Sequence, residues 1–450
     1  MYRKALATLS AWRADPHRLP LIVRGARQVG KTWLLKKFGR ADYASLAYVD
    51  CYDNEQLSAL FATDFDIPRL IQGLELAANQ RIDAEATLIV LDEVQETPRA
   101  LTALKYFQER APQYHIAVAG SLLGVALHEG TSFPVGKVDF LDLGPMTFAE
   151  FLTATGDERF AALLAEPDDV LIETFHQTLL DRLRKYFVVG GMPAVVSQYA
   201  REQSLTSVRA AQQAILDAYE QDFSKHAPGE LVPRLRELFR SVPAQLAREN
   251  KRFFYSQVAA GGRGRSHEAA LLWLSDAGLV ARATRVNNPR LPLRAYEDQS
   301  LFKLFCLDVG LLGALGKLPT QTVLAPDDVF REFKGAMSEQ FVFQELVAQG
   351  VEPHYFSRDD SKGEIDFLVQ LGTDVVPIEV KAGQNVRSKS LSAYVAAHQP
   401  KLALRLSTLP RKAQDRILNL PLYQVGHLAD LVGLGLAERG QQSGDLGAVH

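Results

Sequence analysis

One eight-residue segment constrains the fold more than any other part of the chain. The segment GARQVGKT, from Gly25 to Thr32, matches the pattern GxxxxGK[ST] in full, directly after the apolar run LPLIVRG and before WLLKKFG. In that context the glycines let the backbone curl so that its amides point at phosphate oxygens, and the start of a helix adds the positive end of its dipole. The segment therefore predicts a strand, a phosphate-binding loop and a helix of an α/β domain.

A second motif predicts the partner of this loop. The segment LIVLDE, from Leu88 to Glu93, is an apolar run that ends in two acids. Asp92 is expected to bind Mg²⁺, directly or through water, and Glu93 to orient or deprotonate an attacking water. Taken alone, two acids at the end of a strand are also explained as a solvated strand end. Their position two strands after Lys31 favours the combined interpretation as a nucleotide site.

ATP and Mg²⁺ are the predicted ligands of this site. Lys31 is expected to reach the β- and γ-phosphates and to act in catalysis with Glu93, while the Thr32 hydroxyl holds Mg²⁺. Ser121 ends the apolar run IAVAGS and is either a polar sensor of the γ-phosphate or an ordinary serine at a strand-to-loop junction. The residues predicted to bind the nucleotide and its metal are Gly25, Ala26, Arg27, Gln28, Val29, Gly30, Lys31, Thr32, Trp33, Asp92 and Ser121.

The order of predicted elements divides the 450 residues into three folded parts and a tail. Residues 1–160 alternate strand and helix, which predicts a parallel sheet with helices on both faces. Residues 161–325 are predicted to form a helical and winged-helix connector, and residues 326–436 return to an α/β pattern. Residues 437–450 are rich in glycine and glutamine and are predicted to be a disordered tail.

Composition excludes several classes of protein. Hydrophobic residues make up 47% and charged residues 23%, which is typical of a soluble globular protein. The longest apolar runs are too short for a membrane span, and the charged N-terminal segment does not fit a signal peptide, so no membrane partner is expected. The cysteines Cys51 and Cys306 lie among apolar neighbours, which predicts buried free thiols and a cytoplasmic location. A net charge of −3 argues against uniform coating of nucleic acid.

The segments RGARQVGKT, LDEVQ, AGS and SFPVGKVDFLDLGPMTFAEF resemble a large prokaryotic family of AAA-type ATPases, whose core precedes a C-terminal domain of long-uncharacterised function. The later segments GGMPAVV, LSDAGLV, FKGAMSEQFVFQEL and GEIDFLV also resemble it. The resemblance implies a sheet with the sensor strand between the loop strand and the Asp-Glu strand. It also implies that a neighbouring subunit supplies an arginine to the site, which would require a homo-oligomer. Lys137 stands where family members often have arginine, so this arginine stays unassigned.

The segments EIDFLV and VPIEVKA resemble the PD-(D/E)xK nuclease superfamily. Strand alternation puts Glu379 and Lys381 on one face, and Asp366 joins them if the two strands pair as a hairpin. On this interpretation Asp366 and Glu379 bind Mg²⁺, and Lys381 positions or activates water. Glu339, on the preceding helix, is implied as a further metal ligand or as a residue that supports one. A Glu-x-Lys pair on a strand is also common as an exposed ion pair.

One basic segment is the candidate contact with a polyanion. Between Arg248 and Arg294 the chain carries an excess of Lys and Arg. Arg263 and Arg265 flank a glycine turn before a predicted helix, and Arg290 lies in a predicted hairpin, which together resemble a winged helix that contacts nucleic acid. The alternative is a solvated helix and hairpin or a protein contact. The hairpin region also contains Arg282, Arg285 and Arg294.

Two functions follow from these motifs. The first is Mg²⁺-dependent ATP binding and hydrolysis coupled to a C-terminal nuclease-like domain that acts on nucleic acid. The second is a nucleotide-switched module that binds DNA or protein and keeps a nuclease fold that does not cut, because this fold also persists without activity. Both require the fold class already given: an AAA-type P-loop α/β domain, a helical and winged-helix connector, and a nuclease-like α/β domain.

Overall fold

The computed structural model describes residues 2–121, 134–248, 251–254, 264–320, 331–358, 363–383, 389–428 and 430–432. The chain divides into two compact units, one made of Met1–Gly144 with Trp273–Leu279 and the other of Pro145–Leu272 with Val280–His450. The domain limits predicted from the sequence stay predictions, and the predicted tail at 437–450 lies outside the described residues.

Parallel strands form the sheet of the first unit. They are β1 (Leu21–Gly25), β2 (Ser45–Asp50), β3 (Thr87–Asp92), β4 (His115–Ser121) and β5 (Asp139–Asp142). Their order is β2-β3-β4-β1-β5, so the sensor strand β4 lies between β1 and β3, and this prediction is confirmed. Because parallel strands end at the same edge, the loop after β1 and the acids after β3 share one edge of the sheet.

Helices cover this sheet through apolar faces. They are α1 (Ala5–Ala14), α2 (Lys31–Asp42), α3 (Glu55–Thr63), α4 (Ile67–Ala78) and α5 (Pro98–Arg110). In α5 the buried side chains include Leu101, Leu104 and Phe107, which recur at helical spacing. They join the core around Ile89 and Val118 of the sheet. This packing fixes the strand ends that carry the predicted site.

The rest of the chain contains a long series of helices. They are α6 (Phe148–Ala154), α7 (Glu158–Ala165), α8 (Asp169–Thr174), α9 (His176–Val189), α10 (Pro193–Glu202), α11 (Leu205–His226), α12 (Val232–Leu246), α13 (Gly264–Asp276), α14 (Val309–Leu315), α15 (Arg331–Ala348) and α16 (Lys389–His398). Short 3₁₀ helices lie at Val94–Glu96, Leu293–Tyr296 and Leu422–His427. Thr147 and Glu150 form a capping box that starts α6, with the Thr147 amide donating to the Glu150 carboxylate at 3.0 Å.

An eight-stranded mixed sheet belongs to the second unit. Its strands are β6 (Val280–Val286), β7 (Glu297–Cys306), β8 (His354–Ser357), β9 (Glu364–Leu371), β10 (Asp374–Val380), β11 (Ala403–Ser407), β12 (Lys412–Gln414) and β13 (Ile417–Pro421). The order is β12-β13-β11-β10-β9-β8-β6-β7. β9 and β10 pair as an antiparallel hairpin, as the nuclease-like interpretation requires.

The hairpin predicted as a wing is part of this same sheet. β6 and β7 are antiparallel, and β6 also pairs with β8 in parallel. Val280, Ala283 and Val286 of β6 are buried, whereas a wing that contacts nucleic acid is solvated on its contact face. The sheet therefore crosses the boundary predicted between residues 325 and 326, because β6 and β7 bury apolar side chains with the strands that follow.

Two further sequence predictions concern cysteines and membranes. Cys51 and Cys306 are free and buried, as predicted. Burial raises the pKa of each thiol to about 12, so both are expected to be inert. In the part of the chain that the structure describes, no helix combines the length and apolar character needed to cross a membrane.

Candidate functional site

The predicted phosphate-binding loop connects β1 to α2 and starts the helix at Lys31. Gly30 precedes the helix with φ +95°, a conformation that side chains rarely adopt. A Cβ atom on Gly25 would lie 2.1 Å from the carbonyl oxygen of Leu143, so only glycine fits there. The Nζ of Lys31 donates to the carbonyl oxygens of Gly25 and Ala26, each at 2.9 Å. The loop thus folds around its own lysine.

Lys31 has an electrostatic environment that suits an anionic ligand. Burial lowers the pKa of its ammonium group to about 8, against the opposing effect of the negative charges of Glu93 and Asp92. The positive charge of Arg27 contributes to this lowering of the Lys31 pKa. A buried cation that has only backbone oxygens as hydrogen-bond partners gains from a nearby phosphate, which would raise the pKa again.

Asp92 ends the buried strand β3 and is itself 4% exposed. Its two carboxylate oxygens accept separate hydrogen bonds, from the Tyr48 hydroxyl at 2.9 Å and from the Glu93 amide at 3.0 Å. These bonds orient the carboxylate and compensate for its burial. Burial and the Asp92 charge both raise the pKa of Tyr48, so the phenol keeps its proton and donates. The Asp92 carboxylate is therefore held in one orientation at the end of β3.

Glu93 is held in an unusual backbone conformation beside Asp92. Its φ is 49° and its ψ is 44°, in the left-handed region that glutamate seldom occupies. Gln95 lies on the following 3₁₀ turn and is buried. Its Nε2 donates to Glu93 Oε2 at 2.5 Å. Backbone strain of this kind persists where the surroundings enforce it, and it is concentrated at functional sites. The arrangement aims the Glu93 carboxylate, as expected for a group that orients water.

Three residues that the sequence does not single out support the site. Arg3 is buried, and its guanidinium donates to the carbonyl oxygens of Val29 in the loop, at 2.9 Å, and of Gly144, at 2.7 Å. Tyr48 and Gln95 hold Asp92 and Glu93 as described. An N-terminal arginine carries no motif, whereas the glutamine of LDEVQ lies two residues after the second acid and could have been predicted as a partner of the acids.

The remaining predicted nucleotide residues are partly described. Ser121 is the last residue of β4, as predicted, but its side chain lies outside the described part of the structure. Gln28 has φ +67° at the turn of the loop and is exposed, and Trp33 is 37% exposed at the start of α2. Lys137 pairs with Glu109 of the same unit, their charged atoms 3.4 Å apart. Arg27 and Thr32 are half-buried, and Val29 is buried.

The predicted nuclease-like residues lie on the β9–β10 hairpin. The Asp366 carboxylate accepts a hydrogen bond from the Val380 amide at 2.8 Å across the two strands. Lys381 Nζ lies 2.5 Å from Glu379 Oε1, so the Glu-x-Lys pair is an ion pair on one face. Asp366 therefore lies on the same hairpin as Glu379 and Lys381, and the roles of the three residues stay predictions. The Lys381 side chain is partly exposed, and Glu379 is buried.

Two lysines that the sequence prediction omits sit among these acids. Glu339, on α15, is buried and forms an ion pair with Lys251. Lys303, on β7, is fully buried, with its Nζ 2.5 Å from Glu364 Oε1, 3.6 Å from Glu339 Oε2 and 3.7 Å from Asp366 Oδ1. A single lysine inside the apolar run SLFKLFC was a signal, because a lysine on a buried strand requires acidic partners.

The charges of this cluster change the ionisation of its members. Burial lowers the pKa of Lys303, but Glu364, Glu339 and Asp366 raise it more, so its net pKa is above the usual range. For Asp366, burial raises the pKa, whereas Lys303 and Lys251 lower it more, so the carboxylate stays ionised. Burial and the Asp366 charge raise the pKa of Glu339. The cluster is thus a coupled network of protein charges.

The predicted metal ligands of the nuclease-like site do not converge on one point. Within the described ranges, Glu297, Glu352 and His354 form a group of acidic and histidine side chains whose ligand atoms all lie within 4.8 Å of one another, and Glu339, Asp366 and Glu379 do not form such a group. Glu297 lies 2.7 Å from His354, and Glu352 pairs with the Arg294 guanidinium. The side chains of the first group therefore already have partners within the protein.

The basic segment is only partly described. Arg263 lies outside the described residues, and Arg265 begins α13 with a side chain that is also outside them. Arg290 is exposed, as a contact with nucleic acid requires. Two of the other hairpin arginines have partners within the protein: Arg285 is buried and donates to the Ser357 carbonyl oxygen at 2.7 Å, and Arg294, which is exposed, pairs with Glu352. The net positive charge of the hairpin is therefore smaller than its number of arginines indicates.

Family profiles match three successive segments of the chain. Residues 17–152 match the AAA domain, residues 180–322 match a domain of unknown function (DUF8612), and residues 334–424 match another (DUF4143). The AAA match spans both motifs whose geometry is described above. Residues 17–152 are therefore a P-loop domain of the AAA type. The predicted class of this domain is confirmed, ATP hydrolysis stays a prediction, and neither matched domain of unknown function assigns an activity.

The solved structures that match this chain include the following three proteins. The Walker-type ATPase PABY2304 of Pyrococcus abyssi is 15% identical, with a TM-score of 0.43 over 70% of this chain and 95% of that chain. The Orc1 protein of Aeropyrum pernix in complex with DNA is 15% identical, with a TM-score of 0.26 over 72% and 95%. The RuvB Holliday junction branch migration motor of Thermotoga maritima is 12% identical, with a TM-score of 0.28 over 64% and 88%. No curated protein matches the chain.

Proposed function

We propose that the chain binds ATP together with Mg²⁺ and hydrolyses it. The observation that carries the proposal is the pairing of a buried lysine in a glycine loop with a buried, oriented aspartate on the same edge of the sheet. Lys31 offers an ammonium group to the phosphates, and the loop amides and the start of α2 add further positive character. A hydroxyl and a carboxylate are the oxygen donors that Mg²⁺ prefers.

Each residue of this site has a distinct proposed role. Thr32 and Asp92 would hold Mg²⁺, which when bound offsets the negative charge of the triphosphate. Tyr48 fixes the Asp92 carboxylate through its hydroxyl. Glu93 would accept a hydrogen bond from the attacking water and take its proton as the new bond to the γ-phosphorus forms and the bond to the β–γ bridging oxygen breaks, which releases ADP and phosphate. Gln95 keeps the Glu93 carboxylate in position through the 2.5 Å hydrogen bond.

ATP affinity is expected to fall at alkaline pH because of Lys31. Its pKa is about 8 in the empty loop and rises when a phosphate is bound, so binding above pH 8 requires the uptake of a proton. Below pH 8 the ammonium is already charged and the affinity is flat. Above pH 8 the dissociation constant should rise by about tenfold per pH unit. Calorimetric titration of the full chain with ATP and Mg²⁺ at several pH values measures this.

The control is Lys31→Arg, whose guanidinium stays charged over the same range. Its affinity is expected to be weaker than that of the wild type but independent of pH. A wild-type dissociation constant that stays constant up to about pH 9.5 would contradict the assignment of Lys31 as the phosphate ligand.

For the C-terminal domain we propose nucleotide-dependent action on nucleic acid. The hairpin that joins Asp366, Glu379 and Lys381 supports a nuclease-like fold. The lysines beside Glu339 and Asp366 favour the second function, a fold that binds and does not cut. Nucleotide state would act on this domain by changing the population of its binding-competent form.

Full-length protein with ATP and Mg²⁺ is expected to bind nucleic acid and leave its strands intact. Fluorescence anisotropy with labelled DNA and RNA, with and without ATP, measures binding, and denaturing gels measure cleavage. Joint replacement of Arg263 and Arg265 by alanine should weaken binding and flatten its salt dependence. Arg201→Ala, an exposed arginine on α10, is the matched control. Cleavage that disappears in both Asp366→Ala and Lys381→Ala would reinstate the nuclease, and salt-independent binding would indicate a protein partner.

A further inference from the structure

The nuclease-like cluster contains cations of the protein itself. Lys303 and Lys251 come from segments outside the β9–β10 hairpin and approach the same acids that were predicted as metal ligands. Lys381 is the third cation and pairs with Glu379. The four acids of the cluster are Glu339, Glu364, Asp366 and Glu379.

Lys303 is bound on several sides by these carboxylates. Its side chain is 0% exposed, so water does not solvate the ammonium group. A buried charge of this kind is stable only when opposite charges surround it. Glu364 and Asp366 come from β9 and Glu339 comes from α15, and each places a carboxylate oxygen within 3.7 Å of Nζ. The acids hold the lysine, and the lysine in turn neutralises the acids.

A divalent cation does not fit the same acids. Mg²⁺ requires oxygens that converge at about 2.0–2.1 Å in octahedral geometry. Glu339, Asp366 and Glu379 do not come together in that way among the described residues, and each of them already faces an ammonium group. A bound metal would lie next to Lys303 and Lys251, and like charges at short range repel. The negative charges of these acids are therefore already balanced by lysines of the protein.

We infer that Lys303, assisted by Lys251, serves as a built-in cation where metal-dependent nucleases hold a divalent metal, so that the C-terminal site is complete without metal. The inference rests on the nuclease-like interpretation of this domain and explains why the fold would bind nucleic acid without cutting it. Its test measures metal binding, which neither the cleavage assay nor the ATPase assay reports.

The first experiment compares Mn²⁺ binding to full-length wild type and to Asp366→Asn, without nucleotide, by electron paramagnetic resonance. Both proteins are expected to bind the same number of Mn²⁺ ions with the same affinity. Any binding at Asp92 is common to both and cancels in the comparison. The loss of one Mn²⁺ from Asp366→Asn would overturn the inference, because it would identify Asp366 as a metal ligand in the wild type. Glu379→Gln provides a second comparison if Asp366→Asn does not fold.

The second experiment removes the built-in cation. Lys303→Met keeps a long apolar side chain and is expected to create a site for one additional Mn²⁺, with a melting temperature that rises when Mn²⁺ is added. Lys251→Met is the substitute if Lys303→Met does not fold, because the Lys251 side chain is 17% exposed and its loss leaves less buried volume empty. Lys401→Met, which removes an exposed lysine paired with Asp374, is the matched control. The added Mn²⁺ should disappear in Lys303→Met/Asp366→Asn, and folded variants that gain no Mn²⁺ would overturn the inference.

Discussion

Replacing Lys31 with alanine is expected to abolish measurable ATP hydrolysis and to weaken ATP binding at least about 100-fold. A charge-assisted contact to phosphate contributes roughly 1.5–3 kcal/mol. In addition, the variant loses the hydrogen bonds from Nζ to the Gly25 and Ala26 carbonyl oxygens, which shape the loop around its lysine. Calorimetric titration with ATP and Mg²⁺ measures binding, and phosphate release measures hydrolysis.

Lys37→Ala is the matched control for this experiment. Lys37 lies on the same helix, is exposed, and should change neither quantity appreciably. Equal losses in both variants would indicate a general effect of positive charge on α2. Unchanged ATP binding in Lys31→Ala would remove the basis of the proposed function, since no other residue of the loop has an equivalent role.

Replacing Glu93 with glutamine is expected to separate binding from hydrolysis. The amide keeps the shape of the side chain but loses the basic oxygen that takes the proton of water, so hydrolysis should fall by roughly 10²–10⁴-fold. ATP binding should be kept or become slightly tighter, because a negative charge near the triphosphate is removed. Single-turnover assays with radiolabelled ATP distinguish the two effects.

Two further variants make this prediction specific. Glu96→Gln changes an exposed glutamate three residues away and should leave hydrolysis intact. Gln95→Ala removes the hydrogen bond to Glu93 and should lower the rate by a smaller factor, because the carboxylate remains but is no longer fixed. If Glu93→Gln hydrolyses ATP at the wild-type rate, another group must act on the water.

The first sheet could be predicted because buried parallel strands are continuous apolar runs. The runs that contain Leu21–Gly25, Thr87–Asp92 and His115–Ser121 are bounded by polar or glycine-rich segments, and the observed strands differ from the predicted ones by at most two residues. The loop motif is contiguous in sequence, so its geometry follows from local chemistry. Strand order came from the resemblance to AAA-type ATPases, because apolar runs alone do not specify which strands pair.

Charges that meet across distant segments could not be assigned in the same way. Lys251 and Lys303 reach Glu339 and Asp366 only because β7 joins the same sheet as β9, and their pairing depends on that tertiary arrangement. Arg3 supports the loop at Val29 for a similar reason. A helix followed by a hairpin predicts a winged helix. In the structure, however, β6 of this hairpin pairs with β8, and its apolar side chains are buried.

The edge position of β6 and β7 limits how the C-terminal domain can be prepared by itself. A fragment that starts at residue 326 would leave β8 with an unpaired backbone edge, a surface that favours association with other chains. It would also bury Glu339 and Asp366 without Lys303, an uncompensated pair of negative charges. A fragment designed to work alone therefore has to begin upstream of Lys251.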